Sequence, residues 1–316
     1  MNMKKITVLG AGTMSPGIAQ SFASGGYEVC VWNHREPTLE KAERMLGANV
    51  ATFEDEKIYD GQQAKDVLSR VSFTTDLEAA LKDAFFVQET VAEKPDIKKE
   101  LFEKAAALTD AETIVVSNAS SLNPFTLAPE SLLPRFAAAH WFAPPHIIPL
   151  VEVAKCEQTR PETIEKVMEL LKECGKTPVC LEKFVPGYLI NRIQILLNTE
   201  VFYLLSEGIC NAEQLDLAVK ASLMPRGLLL GLVQRYDFTG LDISANNIIN
   251  SSYKMPPVDP RPKALFDHVD KGELGVKTGK GFYDYGGRSP QEISSERDRL
   301  LIRIFEANKD IINTTL

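Results

Sequence analysis

A glycine-rich turn near the start of the chain constrains its fold more than any other feature. The apolar run Ile6–Leu9 has the length of a buried strand, and Gly10-Ala11-Gly12 follows it at once. Pro16 then stands where the first turn of a helix would lie, a position that suits proline because its missing N–H has no partner there. A strand, a tight glycine turn and a helix in this order indicate the start of a parallel strand–helix–strand unit.

The rest of the N-terminal part repeats the alternation of strand and helix. Short apolar runs at 27–32, 85–88, 113–117, 135–140, 150–154 and 177–181 are separated by segments with helical periodicity. After Pro186-Gly187 helical periodicity dominates to the end of the chain. We therefore predict an α/β protein, with a Rossmann-type doubly wound parallel sheet in residues 1–184 and an all-α domain in residues 185–316.

The glycine turn predicts a binding site for the pyrophosphate of NAD or NADP. Gly10 and Gly12 let a phosphate approach backbone N–H groups, and Thr13 and Met14 lead into the helix N-terminus, whose dipole favours an anion. These four residues are the predicted pyrophosphate contacts. The third position of the pattern is Ser15, which is still small enough for the helix to pack on the strand.

Asn33 is the residue expected at the adenosine ribose, about 20 residues after the glycines, where an acid is usual. Without a carboxylate a 2′-phosphate meets no repulsion there, and Arg35 is able to pair with it. Alternatively, Asn33 binds the ribose hydroxyls and Arg35 points to solvent. The choice between NAD and NADP stays open, with NADP or dual use slightly favoured.

His140 and Glu152 are the predicted catalytic pair. His140 ends one strand-like run, Glu152 lies in the next, and the proline-bearing loop between them is short enough for the side chains to meet. A histidine held by a carboxylate has a fixed tautomer and accepts a proton, as the oxidation of an alcohol requires. With a dinucleotide site in the same domain, the pair predicts a dehydrogenase. His146, in the same loop, is a candidate substrate contact.

Two further positions are candidates for substrate binding. Ser120 lies in the run 117–121, which follows a strand at the sheet edge where doubly wound domains bind ligands. Hydroxyl groups there suit a substrate oxygen, although an ordinary turn or helix cap has the same residue types. Asn191, in the first helix of the second domain, either faces the substrate or lies on the surface.

Composition and charge exclude several other classes of protein. The net charge of −8 argues against nucleic acid or an anionic membrane as the main partner. The apolar run at 6–9 is too short for a secretion signal, and no run approaches transmembrane length. The five cysteines form no metal-like spacing with the four histidines and fit a reducing compartment. We expect a cytoplasmic protein with a small-molecule substrate and no metal.

Taken together, these residues resemble the 3-hydroxyacyl-CoA dehydrogenase family. The resemblance covers nearly the whole chain, with the motifs in the family's order: Gly10–Ser15, Glu93, Ser117–Leu122, His140–Glu152, Pro186–Arg192 and Gly275–Tyr283. It implies a Rossmann domain, a helical domain that forms a homodimer, and oxidation of a secondary alcohol by a His–Glu pair. It assigns His140 and Glu152 as the catalytic pair. It assigns Ser120 and Asn191 as contacts of the substrate carbonyl. It places three more residues near the cofactor: Glu93, Lys98 and Lys277.

Departures from the family's usual pattern leave the substrate open between a 3-hydroxyacyl-CoA and a free hydroxy acid. The family's Asn three residues after the catalytic histidine is Ala143 here, and Asn49 and Glu56 replace the Ser and Lys of its CoA-binding arm. The loop 144–149 looks more like the hydroxy-acid branch, which includes gulonate dehydrogenase/lambda-crystallin and a pyridine-carboxylate dehydrogenase of vitamin B6 breakdown. A catalytically silent dinucleotide-binding protein and a β-hydroxyacid dehydrogenase with a lysine base are the competing hypotheses.

Overall fold

The computed structural model describes residues 4–252 and 254–315. The chain separates into two compact units, one ending at Leu189 and the other beginning at Ile190. The first unit contains eight strands, β1 to β8: Lys5–Leu9, Glu28–Trp32, Val71–Thr74, Ala84–Glu89, Ile114–Ser117, Phe136–Trp141, Leu150–Ala154 and Thr177–Leu181. Its six helices, α1 to α6, are Ser15–Ser24, Glu36–Asp55, Gly61–Ser69, Leu77–Leu81, Pro95–Leu108 and Pro161–Glu173.

The strands form one sheet in the order β3-β2-β1-β4-β5-β6-β7-β8, and β1 to β6 are parallel. The chain order reverses between the neighbours β1 and β4, and the carboxyl ends of strands at such a switch point form the crevice in which doubly wound domains bind ligands. The predicted fold class is confirmed. The sheet is mostly parallel, and its exception is β7, which runs antiparallel to β6 and is paired in parallel with β8.

The direction of β7 follows from the length of its connection. Residues 142–149 separate β6 from β7, too few for the crossover helix that a parallel return needs. The chain therefore turns back, and the antiparallel register places His140 directly opposite Glu152. Residues opposite each other on an antiparallel pair have Cβ atoms about 5 Å apart. The sheet itself thus brings the predicted catalytic pair together.

Both faces of the sheet are covered, as the alternation along β1 shows. Ile6 and Val8 belong to one buried cluster, to which α1, α2 and α6 contribute, whereas Leu9 belongs to a second that includes Leu101 and Phe102 of α5. Strands covered on both faces bury their whole length, which explains why β1 reads as a continuous apolar run in the sequence.

The second unit is helical, so the predicted all-α class of the C-terminal domain is confirmed. Its helices, α7 to α13, are Ile190–Ser206, Ala212–Ala218, Met224–Leu230, Gln234–Thr239, Leu241–Ile249, Lys263–Val269 and Pro290–Ile312. Among its described residues only Ile302 is buried, and many aliphatic side chains are exposed. No helix within the described ranges is long and apolar enough to cross a membrane.

Candidate active site

The glycine turn has the geometry that a dinucleotide site needs. Gly10 has a φ of +110°, and a Cβ there would lie 2.9 Å from the carbonyl oxygen of Thr90, so no other residue fits. A Cβ on Gly12 would meet nothing within 4 Å and would project into open space of the cleft. Helix α1 begins at Ser15, whose hydroxyl lies 2.7 Å from that of Thr90. Thr13 is exposed and Met14, at the helix N-cap, is half-buried.

A cavity of about 640 Å³ opens beside this turn at the carboxyl ends of β1, β2 and β4. Its lining includes the glycine turn, Trp32, Asn33, His34, Ile97 and Lys104. The Asn33 side-chain oxygen accepts a hydrogen bond of 3.0 Å from the backbone N–H of Arg35, whose side chain is exposed. An open cradle of glycines, a helix N-terminus and an adjoining cavity of this size fit a dinucleotide.

His140 and Glu152 form a buried hydrogen-bonded pair. The Nδ1 atom of His140 lies 3.1 Å from Oε2 of Glu152, and the two residues are 5% and 1% exposed. Because a carboxylate only accepts hydrogen bonds, Nδ1 carries the proton and Nε2 keeps a lone pair. The other oxygen, Oε1 of Glu152, accepts a hydrogen bond of 3.0 Å from the backbone N–H of Leu189. The arrangement makes His140 a proton acceptor held in one orientation.

Two aromatic rings fix the imidazole further. Phe142 contacts it edge-on, with ring centroids 4.7 Å apart, and Tyr188 stacks on it at 4.6 Å with an angle of 12° between the planes. Trp141 is held beside it, because its backbone N–H donates to Asn118 and its indole N–H donates to Gln88. The ring of His140 is therefore confined by Phe142 and Tyr188 as well as by Glu152.

Glu93 organises the turn that contains Ser120. Its Oε1 accepts the backbone N–H groups of Ser120, Ser121 and Leu122 at 3.0, 2.9 and 3.0 Å. The pKa of Glu93 is lowered overall. Desolvation alone would raise it, but the hydrogen bonds from Leu122 and Ser121 and the charge of Lys98 outweigh that effect. An ionised Glu93 thus holds the backbone of the predicted substrate turn.

Lys98 lies in a buried ion pair. Its ammonium donates to both carboxylate oxygens of Glu89, at 2.7 and 2.9 Å, and is 3.4 Å from Glu93. Ser117 also donates to Glu89 at 2.6 Å. Burial raises the pKa of Glu89, which the charge of Lys98 opposes. Because Lys98 is only 1% exposed, its ammonium is buried against these carboxylates, and it is not among the residues that line the cavity.

Three further predicted site residues are His146 in the first unit and Asn191 and Lys277 in the helical unit. His146 packs against helix α1 at Gly17 and against the ring of Phe53 in α2, with centroids 5.6 Å apart. Asn191 is exposed in the first turn of α7, and Lys277 is exposed in the helical unit in the short turn Val276–Thr278. Across the residues that the structure covers, no cluster of three His, Cys, Asp or Glu side chains could hold a metal ion.

Several residues of the site were not predicted from the sequence. Glu89 is the last residue of β4, and its position at the carboxyl end of a central strand was a usable signal. Tyr188 follows Pro186-Gly187, which indicated only a boundary between domains. Asn118 and Trp141 stand next to predicted residues, but only the paired strands show that they bind one another.

Comparison with known proteins matches both units to one family. The family profile described as 3-hydroxyacyl-CoA dehydrogenase, NAD binding domain, matches residues 5–184. The profile described as 3-hydroxyacyl-CoA dehydrogenase, C-terminal domain, matches residues 187–285.

Relatives with two kinds of substrate are similar over nearly the full length. A 5-formyl-3-hydroxy-2-methylpyridine 4-carboxylate 5-dehydrogenase of Mesorhizobium japonicum is 30% identical, over 96% of this chain and 97% of that protein. A 3-hydroxybutyryl-CoA dehydrogenase of Bradyrhizobium diazoefficiens is 32% identical, over 91% and 97%. A crystal structure of the pyridine-carboxylate enzyme, described as an NAD+ dependent dismutase, has a TM-score of 0.84 and 28% identity, over 97% of this chain and 99% of that chain. An (S)-3-hydroxybutyryl-CoA dehydrogenase from Ralstonia eutropha has a TM-score of 0.70 and 27% identity, over 90% and 100%.

Proposed function

Because the chain belongs to the 3-hydroxyacyl-CoA dehydrogenase family, we propose that it is an NAD-dependent oxidoreductase that uses His140 and Glu152 to oxidise a secondary alcohol. The observation that carries this proposal is the buried hydrogen bond of 3.1 Å between His140 and Glu152, in the same unit as the glycine turn. A fixed imidazole with a free Nε2 and a cavity suited to a dinucleotide are the two parts that such a reaction needs.

The proton is removed by His140. Its Nε2 takes the proton of the substrate hydroxyl, and Glu152 stabilises the imidazolium that forms while it stays ionised. Bound NAD+ supplies the acceptor for the hydride that leaves the carbinol carbon. The Ser120 hydroxyl and the Asn191 amide hold the substrate oxygen and steady the charge that develops on it.

The same unit holds the cofactor. The turn from Gly10 to Met14 binds the pyrophosphate through its backbone N–H groups. Lys98 acts indirectly, because its ammonium donates to Glu89 and lies 3.4 Å from Glu93, which holds the turn at Ser120. Lys277 is proposed as a further contact of the cofactor from the helical unit.

For the ribose end we propose that NAD is the cofactor and that NADP is also accepted. Asn33 brings no negative charge to this end of the cavity, and its side-chain oxygen is occupied by the N–H of Arg35. The exposed guanidinium of Arg35 is suited to a 2′-phosphate. These two residues support dual use.

We propose a free hydroxy acid rather than a CoA ester as the substrate. Glu54 and Asp55 end α2 and Glu56 follows them, and these three acidic residues would repel the phosphates of CoA. Ala143 also lacks the amide that acyl-CoA members carry after the catalytic histidine. The similarity to the pyridine-carboxylate enzyme, with its TM-score of 0.84, supports this choice. Turnover of 3-hydroxyacyl-CoA esters is the competing outcome.

The test is an activity screen with His140→Ala as the reference variant. Purified protein is titrated with NADH and NADPH by fluorescence and then assayed with hydroxy acids and with 3-hydroxyacyl-CoA esters. We expect turnover of a hydroxy acid, a loss of about 10²- to 10⁴-fold in His140→Ala, and unchanged dinucleotide binding. Activity of His140→Ala within about tenfold of wild type would show that the base is another residue. Dinucleotide binding without any turnover would indicate a catalytically silent protein.

We also propose that the protein is a cytoplasmic homodimer. The exposed aliphatic side chains of the helical unit support a homodimer formed through that unit. All five cysteines are free thiols, which supports a reducing, cytoplasmic location.

A further inference from the structure

Tyr188 makes the most extensive contact with the imidazole of His140. The phenol ring lies parallel to the imidazole at 4.6 Å and covers one of its faces. Tyr188 itself is fully buried, and the ring of Phe184 packs against it edge-on at 5.5 Å. The catalytic histidine therefore has an aromatic wall that is itself fixed.

The same residue connects the pair to the substrate turn. The hydroxyl of Tyr188 donates a hydrogen bond of 2.8 Å to the backbone carbonyl of Ala119, which precedes Ser120. Burial raises the pKa of Tyr188, and the nearby charge of Glu152 raises it further, so the phenol stays protonated and keeps donating. The next residue, Leu189, donates its backbone N–H to Glu152.

The backbone of Tyr188 adopts a conformation that a side chain of its size rarely takes. Its φ is +49°, in the left-handed region that glycine normally occupies. Such a conformation persists where the surrounding contacts compensate its energy, and these residues concentrate at functional sites. Here the left-handed turn allows one residue to present its ring to His140 and the next to present its N–H to Glu152.

We propose that Tyr188 is a positioning residue of the reaction, which holds the plane of the His140 ring, stabilises the imidazolium through its π face and ties the catalytic pair to the turn at Ser120. This inference rests on the proposed function, because it assumes that His140 is the base. It assigns a role to a side chain through its contacts with His140 and with the backbone of Ala119.

The test compares three substitutions at Tyr188 with one beside it. Tyr188→Leu and Tyr188→Met remove the π face, and Tyr188→Phe retains it but removes the hydrogen bond to Ala119. Phe184→Leu is the matched control, because Phe184 packs on Tyr188 from the side and is not in ring contact with His140. Each protein is assayed for kcat and KM, for NADH affinity and for thermal unfolding.

We expect kcat to fall by about 10- to 100-fold in Tyr188→Leu and Tyr188→Met, with KM and NADH affinity within about twofold of wild type. Tyr188→Phe should restore kcat to within about fivefold, because only one hydrogen bond is lost. Phe184→Leu should lower the melting temperature and leave kcat within about twofold of wild type.

Two results would overturn the inference. One is a wild-type kcat in Tyr188→Leu or Tyr188→Met, and the other is an equal loss of kcat in Phe184→Leu. Should the leucine variant not fold, the methionine variant, which fills irregular space more easily, gives the same comparison. An active His140→Ala would instead contradict the proposed function, so the two failures are distinguishable.

Discussion

Lys176 is a buried lysine that supports the loop between His140 and Glu152. Its ammonium donates to the carbonyl oxygens of Pro145 and Ile148, at 2.6 and 3.3 Å, and lies 5.3 Å from the ring centroid of Trp141. Burial lowers the pKa of Lys176 to about 7, from an ordinary value of 10.5. The folded protein therefore releases this proton at a lower pH than the unfolded chain does.

The shift in the pKa of Lys176 predicts a pH dependence of stability. Between pH 7 and pH 9 the unfolded chain binds more protons at this residue than the folded protein, so the free energy of unfolding rises with pH. We expect this lysine to contribute a rise of about 2 kcal/mol over that range. Urea unfolding at both pH values should show the rise in wild type and a correspondingly smaller one in Lys176→Met.

The exposed neighbour Lys172 on α6 provides the control for that experiment. Lys172→Met should keep the pH dependence of wild type, because its ammonium is solvated in both states. The same dependence in Lys176→Met as in wild type would mean that Lys176 stays charged in the folded protein.

At the residue scale the sequence predicted a contact where a short connection between two strands forces it. His140 and Glu152 were predictable because a short loop forces their strands side by side. The pairing of Glu89 with Lys98 was not predictable, since a charged residue at the end of a strand is usually solvated. Only the packing of α5 shows that both side chains are buried. The left-handed turn at Tyr188 was also out of reach, because nothing in a tyrosine indicates a positive φ.

Among the secondary-structure elements, helix α1 approaches the loop 142–149 unusually closely. A Cβ added at Gly17 would lie 2.8 Å from Cγ of Pro145 and 2.7 Å from Nδ1 of His146. Glycine at this position therefore serves contact between elements, although it lowers helix stability by about 1 kcal/mol relative to alanine. The same contact places His146 in the packing of α1.

Two glycine-to-alanine substitutions separate these effects. Gly17→Ala should lower the free energy of unfolding by about 1 to 3 kcal/mol, because the added methyl group displaces Pro145 and His146. Gly47→Ala, within α2, should raise it by about 0.5 to 1 kcal/mol, since its methyl group would meet nothing within 4 Å. Urea unfolding measures both. A stabilised Gly17→Ala would show that the loop can move away from α1.

The elements themselves were largely predictable, since the strands and the order of strands and helices follow from apolar runs and glycine or proline breaks. The direction of β7 depended on counting the residues of one loop. The packing of His146 against Gly17 depends on where a loop and a helix meet. The hydrophobic periodicity of a sequence does not predict that contact.

For the molecule as a whole, the exposed apolar surface of the helical unit is the feature with the largest consequence. Ile248 and Ile249 of α11 are each 77% exposed, and Val233 is 80% exposed. Isolated apolar residues are normal on a surface, but many within one unit indicate an interface. A second copy of the chain is the partner that we propose for it.

Light scattering tests this assembly. Wild type should have twice the mass of the 35.0 kDa chain, and the double variant Ile248→Asp with Ile249→Asp should shift toward the monomer. Leu68→Asp, an exposed leucine of α3 in the other unit, is the control and should keep the wild-type mass. A monomeric wild type at micromolar concentration would contradict the proposal.

The antiparallel pairing of β6 with β7 also means that the register of the strands, more than the sequence of their connection, aligns His140 with Glu152. Backbone hydrogen bonds between the two strands set the distance between His140 and Glu152, and of the eight residues that connect them Phe142 also contacts the His140 ring. A connection of equal length that keeps Phe142 should therefore leave His140 and Glu152 in register. The remaining residues of the hairpin can then vary in sequence without changing the strand register that holds the two side chains together.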